Sequence, residues 1–144
     1  MVQTTHIIKL KIVTKSDYLF LYELLKERDS RANISHRKMP TYKEHINFVK
    51  SKPYSKWYVI ELGKEKVGSI YLTENDEIGI FLMKSKQKKG TGNKALELLM
   101  ELNPRTRYLA NVSPRNFISI QFFKKNGFKL IQHTYELTPK KIIE

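Results

Sequence analysis

The sequence predicts an α/β (α+β) layer domain built on a mixed, mostly antiparallel sheet. Three observations carry this. Three strand-like runs between Trp57 and Met83 are joined by connections too short for a crossover, so they pair antiparallel. Apolar residues at helical spacing come before and after them. Helices join only the later strands, which makes the sheet mixed and layered against helices.

The elements follow in order. His6–Val13 alternates in part and reads as a strand. Ser16 and Asp17 precede a helix over Asp17–Arg28, with Leu21, Leu24 and Leu25 on one face. Arg28–Thr41 is polar and reads as a loop, and Thr41 with Glu44 forms a capping box for a helix over Tyr42–Lys50. Trp57–Leu62 and Lys66–Leu72 flank Gly63-Lys64-Glu65, a hairpin signal. Glu77–Met83 is a third strand after the turn-forming Glu74-Asn75-Asp76-Glu77. A helix over Gly92–Leu102 turns Ala95, Leu98, Leu99 and Leu102 to one side, and Pro104 lies just past its end. Arg107–Val112 reads as a strand, Ser113-Pro114 as a helix start and Asn126-Gly127 as a helix stop. Phe128–Leu137 is the expected last strand.

A chain of 144 residues is expected to form one domain over residues 1–144, and one of this size buries roughly 68–70% of its unfolded surface. It has no cysteine, which excludes disulfides, thiolate metal sites and a cysteine nucleophile, and no metal is expected. The N-terminus lacks the pattern of a signal peptide, and no stretch approaches the ~18 apolar residues of a membrane span. The expectation is a soluble cytoplasmic protein with no membrane partner. A net charge of +13 draws in polyanions of any kind: nucleic acid, acidic lipid or a phosphorylated small molecule.

The most informative stretch is Lys86-Gln87-Lys88-Lys89-Gly90-Thr91-Gly92-Asn93-Lys94-Ala95. Glycines admit close backbone approach, a helix start offers unpaired N–H groups and lysines attract anions; together they suit a phosphate. Residues 90–95 formally fit the dinucleotide fingerprint G-x-G-x-x-A, but that motif belongs in an early βαβ unit, and here hairpin-linked strands precede it. The P-loop spacing is absent. What fits is Q-x-x-G-x-G between an apolar strand and a helix, followed about 24 residues later by Asn116-x-x-Ser119-x-x-x-Phe123-x-x-x-Gly127-Phe128.

With these two motifs in this order, the whole chain resembles the GCN5-related N-acetyltransferase (GNAT) superfamily. The resemblance implies a six- or seven-stranded sheet flanked by about four helices, whose fourth and fifth strands splay apart to seat acetyl-CoA. It implies that Gln87, Lys88, Lys89, Gly90, Thr91, Gly92, Asn93 and Lys94 form the pyrophosphate loop, with backbone amides mattering more than any one lysine. Main-chain groups near Phe81, Leu82 and Met83 would pair with the pantetheine arm and polarise the thioester carbonyl. Asn116 and Ser119, one turn apart, would reach the cofactor, and Phe122 and Phe123 would line its arm or pack in the core.

The implied reaction is direct transfer of acetyl to an amine, which must be neutral to attack. Where some relatives carry a glutamate base this chain has Asn111, and where many carry a tyrosine acid it has Phe123. The catalytic candidates are therefore Glu77, acting through water, and Asn111, orienting the amine or a water. Arg31, His36 and His133 are the acceptor-binding candidates; His133 and Tyr135 share a strand face, while His6 and His45 read as surface or edge residues. Arg28, Arg31, Arg37 and Lys38 make the acceptor region basic, which suits a phosphorylated small amine such as a nucleotide-linked amino sugar. Alternatives are an N-terminal acetyltransferase of proteins or peptides, a family member that binds the cofactor without catalysis, and, from another class, a basic nucleic-acid-binding module. A seventh strand from a partner would complete the sheet edge, giving a homodimer.

Overall fold

The computed structural model describes residues 7–28, 39–87 and 90–140. Among these residues four strands form one antiparallel sheet in chain order: β1 (Ile8–Ile12), β2 (Lys56–Leu62), β3 (Glu65–Leu72) and β4 (Ile78–Leu82). Four described helices accompany it: α1 (Tyr18–Lys26), α2 (Tyr42–Lys50), α3 (Thr91–Leu102) and α4 (Phe117–Lys125). No described helix is long and apolar enough to cross a membrane.

Turn chemistry sets the register. Gly63, at φ 63°, closes the β2–β3 hairpin so that Leu62 faces Glu65. Asp76 holds φ 61° in the turn before β4, a conformation that aspartate tolerates better than most residues. That turn is also tied down: Asp76 accepts from Arg105 Nε at 2.9 Å through its side chain and from the Leu109 N–H at 2.9 Å through its carbonyl. The predicted capping box is present, with Glu44 N–H donating to Thr41 Oγ1 at 3.2 Å and Thr41 N–H to Glu44 Oε1 at 2.9 Å.

The register also sorts the two faces of the sheet. One carries Ile60, Ile70, Leu72 and Ile78, which cluster with Ala95, Leu96 and Leu99 of α3 and with Phe123 of α4. Residues facing each other across strands share a side, so the rows Trp57–Tyr71–Gly79 and Val59–Ser69–Phe81 lie on the other face. There Trp57 Nε1–H donates to Ser69 Oγ at 3.1 Å, and α1 packs over β3.

Four expectations are corrected. Among the described residues the 107–112 stretch makes a single parallel bridge, Leu109 to Glu77 just ahead of β4, because past it a cavity lined by Ile80, Asn111 and Val112 takes the place of a ladder. Residues 128–137 form no ladder with any described residue, so the described sheet has four strands rather than six or seven; alternation encodes which side chains want cover, not which edge provides it. The fourth helix starts at Phe117, since Asn116, not Ser113, supplies the cap: its Oδ1 accepts from the Ser119 N–H at 3.2 Å. His45 is buried, 4% exposed, because it lies one turn from buried Val49 on the inner face of α2. His6 lies outside the described residues.

Candidate active site

The site begins where β4 loses its second neighbour. Thr73 N–H donates to the Glu77 carbonyl at 2.9 Å and Met83 N–H to that of Val67 at 2.8 Å. Backbone groups alternate in direction along a strand, so those of Ile78, Ile80 and Leu82 face the opposite edge. Ile78 N–H meets the Leu109 carbonyl at 2.7 Å. Among the described residues no further backbone bond joins this stretch to β4. Past the bridge, Ile80 and Leu82 border a cavity of about 390 Å³, lined also by Phe81, Gln87, Asn116 and Ser119. The expected main-chain triplet Phe81, Leu82 and Met83 is thus divided: Phe81 and the Met83 N–H are spent on β3, the Met83 carbonyl accepts from the Lys86 N–H at 2.8 Å, and Ile80 with the Leu82 N–H faces the wedge.

The start of α3 lies beside Leu82, whose Cδ1 a Cβ on Gly92 would approach to 3.6 Å. Gly90 precedes it at φ 74°, in the left-handed region that glycine adopts at no steric cost. Among the described residues no side chain caps this helix and its first turn holds no acid, so the positive end of the helix keeps its N–H groups for a ligand. The two glycines differ in purpose. A Cβ on Gly90 would meet nothing within 4 Å, so its constraint is the backbone angle; one on Gly92 would lie 3.0 Å from Phe122 Cε1. Phe122 is therefore a prop beneath the turn and does not line either cavity.

The other loop residues have identifiable partners. Thr91 is buried, Gln87 Nε2–H donates to the Leu82 carbonyl at 3.2 Å, and Asn93 Oδ1 accepts from Asn126 at 3.0 Å. Lys94 pairs with Glu97 at 3.7 Å and Lys86 with Glu65 at 3.2 Å, which tempers their pull on an anion. Lys88 and Lys89 lie outside the described residues, as do Arg31 and His36. These features suit an extended ligand with an anionic end and amide groups along its arm, as coenzyme A has.

The structure also brings the two catalytic candidates together. Asn111 Nδ2–H donates to Glu77 Oε2, while Thr73 Oγ1–H donates to Glu77 Oε1 at 3.0 Å. The carboxylate is fixed from both sides and lines a second cavity, about 220 Å³, with Asn116, Ser119 and Phe123. Phe123 is also a core residue, 7% exposed, with its ring edge-on to Phe122 and Phe128.

The wall on the other side of this cavity comes from Arg28, Tyr71 and Phe81. The Tyr71 ring lies flat over Gly79, where an added Cβ would overlap Tyr71 Cζ, and it stacks on Tyr54 at 3.8 Å. Burial pushes the Tyr71 phenol above its ordinary pKa, and the Glu77 charge adds to this; Tyr54 and Arg28 act against it less strongly. The Arg28 guanidinium sits 4.4 Å above the Phe81 ring.

His133 is exposed and lines neither cavity. Tyr54, Tyr71 and Gly79 are the residues that sequence reasoning passed over. The signal was in the hairpin register, which sets Tyr71 opposite Gly79 once the Asp76 turn is placed.

Comparison with known proteins agrees with this architecture. No curated protein sequence matches the chain significantly. Among solved structures, an acetyltransferase from Thermus thermophilus superposes with a TM-score of 0.69 at 21% identity, over 87% of this chain and 88% of that one. An acetyltransferase of Salmonella typhimurium that modifies the N-terminal serine of ribosomal protein L7/L12 gives 0.69 at 20% identity, over 88% and 83%. The yncA protein of Salmonella typhimurium, with its cofactor acetyl-CoA, gives 0.67 at 16% identity, over 85% and 79%. Residues 18–128 match the model of the acetyltransferase (GNAT) family. An open-edged β4, a glycine turn leading into an uncapped helix and this match, which spans most of the sequence, agree: the chain belongs to the GNAT family of acetyltransferases.

Proposed function

We propose that this acetyltransferase takes acetyl-CoA as donor and transfers the acetyl group directly to the primary amine of a small anionic acceptor, a nucleotide-linked amino sugar being the class that best suits the cleft. The observation that carries the donor half is the uncapped start of α3 beside the outward-facing groups of Ile80 and Leu82. When bound, acetyl-CoA supplies an acyl group already activated as a thioester. The amides of Thr91, Gly92 and Asn93 would hold its diphosphate, and Ile80 and Leu82 would pair with its arm as a neighbouring strand does. An outward N–H of β4 would serve as donor to a carbonyl oxygen that gains charge during transfer.

Glu77 would take the proton of the amine through a water, since alkylamines near pKa 10 are mostly protonated at neutral pH. Thr73 and Asn111 hold its two oxygens, so Asn111 acts through Glu77 as a positioning residue.

The acceptor half rests on charge. Arg28 lines both cavities and shares the smaller one with Glu77. The described acids lining the cleft are Glu27, which accepts from the Lys84 N–H at 3.0 Å, and Glu77. Such a lining disfavours a polycationic amine and favours one that bears phosphate or carboxylate, which a guanidinium grips with two parallel bonds. Tyr71 and Phe81 add aromatic wall beside it.

Profiling acceptors with acetyl-CoA tests this reading. Transfer to amino-sugar nucleotides but not to peptides is expected. Transfer to peptide N-termini alone would replace it with the protein-acetylating reading, and tight, salt-sensitive RNA binding unaffected by coenzyme A would favour the nucleic-acid module.

A further inference from the structure

Asn126-Gly127 ends α4, and its chemistry goes beyond a helix stop. Gly127 N–H donates to the Lys124 carbonyl at 3.0 Å and Phe128 N–H to that of Phe123 at 2.9 Å. With Gly127 at φ 90°, these are the paired bonds of a left-handed helix end. Phe128 completes it by packing on Phe123, with ring centroids 5.0 Å apart. The backbone on both sides of Asn126 is therefore fixed, and so is the point from which its side chain projects.

That side chain reaches across to α3. Its Nδ2 donates twice, to the Phe122 carbonyl at 2.8 Å and to Asn93 Oδ1 at 3.0 Å. Both N–H bonds of the amide are then used. Phe122, one turn earlier on the same helix face, lies under Gly92. The last turn of α4 thus supports two consecutive residues of the turn that opens α3, Gly92 by contact and Asn93 by a hydrogen bond.

Asn93 is the third residue of α3. A side-chain oxygen at that position can reach back and accept from the N–H of the residue before the helix. Asp17, a side chain of the same length, does so in this molecule, accepting from the Thr14 N–H at 2.8 Å. At α3 the corresponding oxygen is turned to Asn126 instead. The Gly90 N–H is therefore not consumed by Asn93. What Asn93 has left is its amide N–H₂, and among the described residues nothing accepts from it. An anion arriving at this helix start meets donors and no competing oxygen.

We infer that Asn126 is a positioning residue for the donor site: by holding the Asn93 oxygen aside, it keeps the entrance of α3 a set of donors for the diphosphate of acetyl-CoA. The inference rests on the donor half of the proposed function. Asn126→Asp reverses the arrangement, because a carboxylate only accepts. It draws the Asn93 N–H₂ to itself, turns the Asn93 oxygen toward the ligand and adds a negative charge near the same helix end.

Calorimetric titration of the full chain with coenzyme A tests this. Asn126→Ala should weaken binding about 10-fold and Asn126→Asp about 100-fold. In the Asn93→Ala background, Asn126→Ala should cost less than about 2-fold, since the oxygen it holds is gone. A general loosening of α4 would persist in that background. In heteronuclear NMR spectra of the parent chain the Asn93 side-chain amide pair, identified by its loss in Asn93→Ala, should shift when coenzyme A is added. Asn126→Asp is nearly isosteric, so it carries the test should Asn126→Ala fail to fold. Parent-like affinity in Asn126→Asp, or an equal loss from Asn126→Ala with and without Asn93, would overturn the inference and leave the donor reading standing. A parent chain that binds no coenzyme A would overturn both.

Discussion

Asn111 and Glu77, 34 positions apart in sequence, are joined by a hydrogen bond at the point where the 107–112 stretch leaves β4. The bond makes the amide a positioning partner of the carboxylate. Glu77→Gln should lower kcat about 100-fold, the lower range for losing a general base, with little change in the KM for acetyl-CoA. Asn111→Ala should cost about 10-fold, and the double variant should be no worse than Glu77→Gln alone, because both act through one group. Steady-state kinetics of the two single variants and the double variant check this.

The glycine turn should separate backbone angle from space. Gly90→Ala forces a side chain into the left-handed region, at a cost of roughly 1–2 kcal/mol, and should raise the KM for acetyl-CoA about 10-fold. Gly92→Val must displace Phe122 and should raise it further. Calorimetric titration with coenzyme A, run on both variants, measures the two losses directly.

On the acceptor side, Gly79→Ala should act through Tyr71, since its Cβ would lie 2.1 Å from Tyr71 Cζ and must displace the ring. The acceptor KM should rise while that for acetyl-CoA holds. In the Tyr71→Ala background the same substitution should have little further effect, and a double-mutant cycle on acceptor KM reads out the coupling.

His45 sets a pH dependence of stability. Burial pushes its imidazole below the ordinary 6.5, against a smaller opposite effect of its hydrogen bond with the Tyr18 carbonyl. The unfolded chain then binds the proton more readily than the folded one, so stability is full above the unfolded pKa and falls as pH drops below about 6.5. Urea midpoints measured across that range should decline for the parent chain and decline less for His45→Gln.

Asp17 is fully buried, with Lys66 Nζ at 2.7 Å and the Thr14 N–H at 2.8 Å. Burial alone would raise its pKa, but Lys66 and Thr14 together hold it below 3.8. Lys66→Met leaves that carboxylate without its cation and should destabilise the fold by about 3 kcal/mol, measurable by urea unfolding at neutral pH.

The parts of this molecule that local chemistry dictates could be read in advance. The Thr41–Glu44 box, the Gly63 hairpin and the glycine entry to α3 each depend on residues within a few positions of one another. Relationships set by register or by distant segments could not. Glu77 and Asn111 were each legible as candidates, but their contact depends on a single parallel bridge that no spacing announces. The 107–112 and 128–137 stretches read as strands, yet a strand exists only where an edge receives it, and among the described residues each lacks a full partner. His45 was misjudged from its chemistry; its spacing to Val49 already placed it on the inner face of α2.

The central claim is that the α3 entrance and the open edge of β4 together hold the diphosphate and arm of a thioester carrier. Thermal unfolding with acetyl-CoA at about 100 times its Kd tests it most directly: binding should add about 2.7 kcal/mol and raise Tm by about 8 °C, and the gain should be lost in Gly92→Val. An unchanged Tm at millimolar acetyl-CoA, or an equal shift in Gly92→Val, would contradict it.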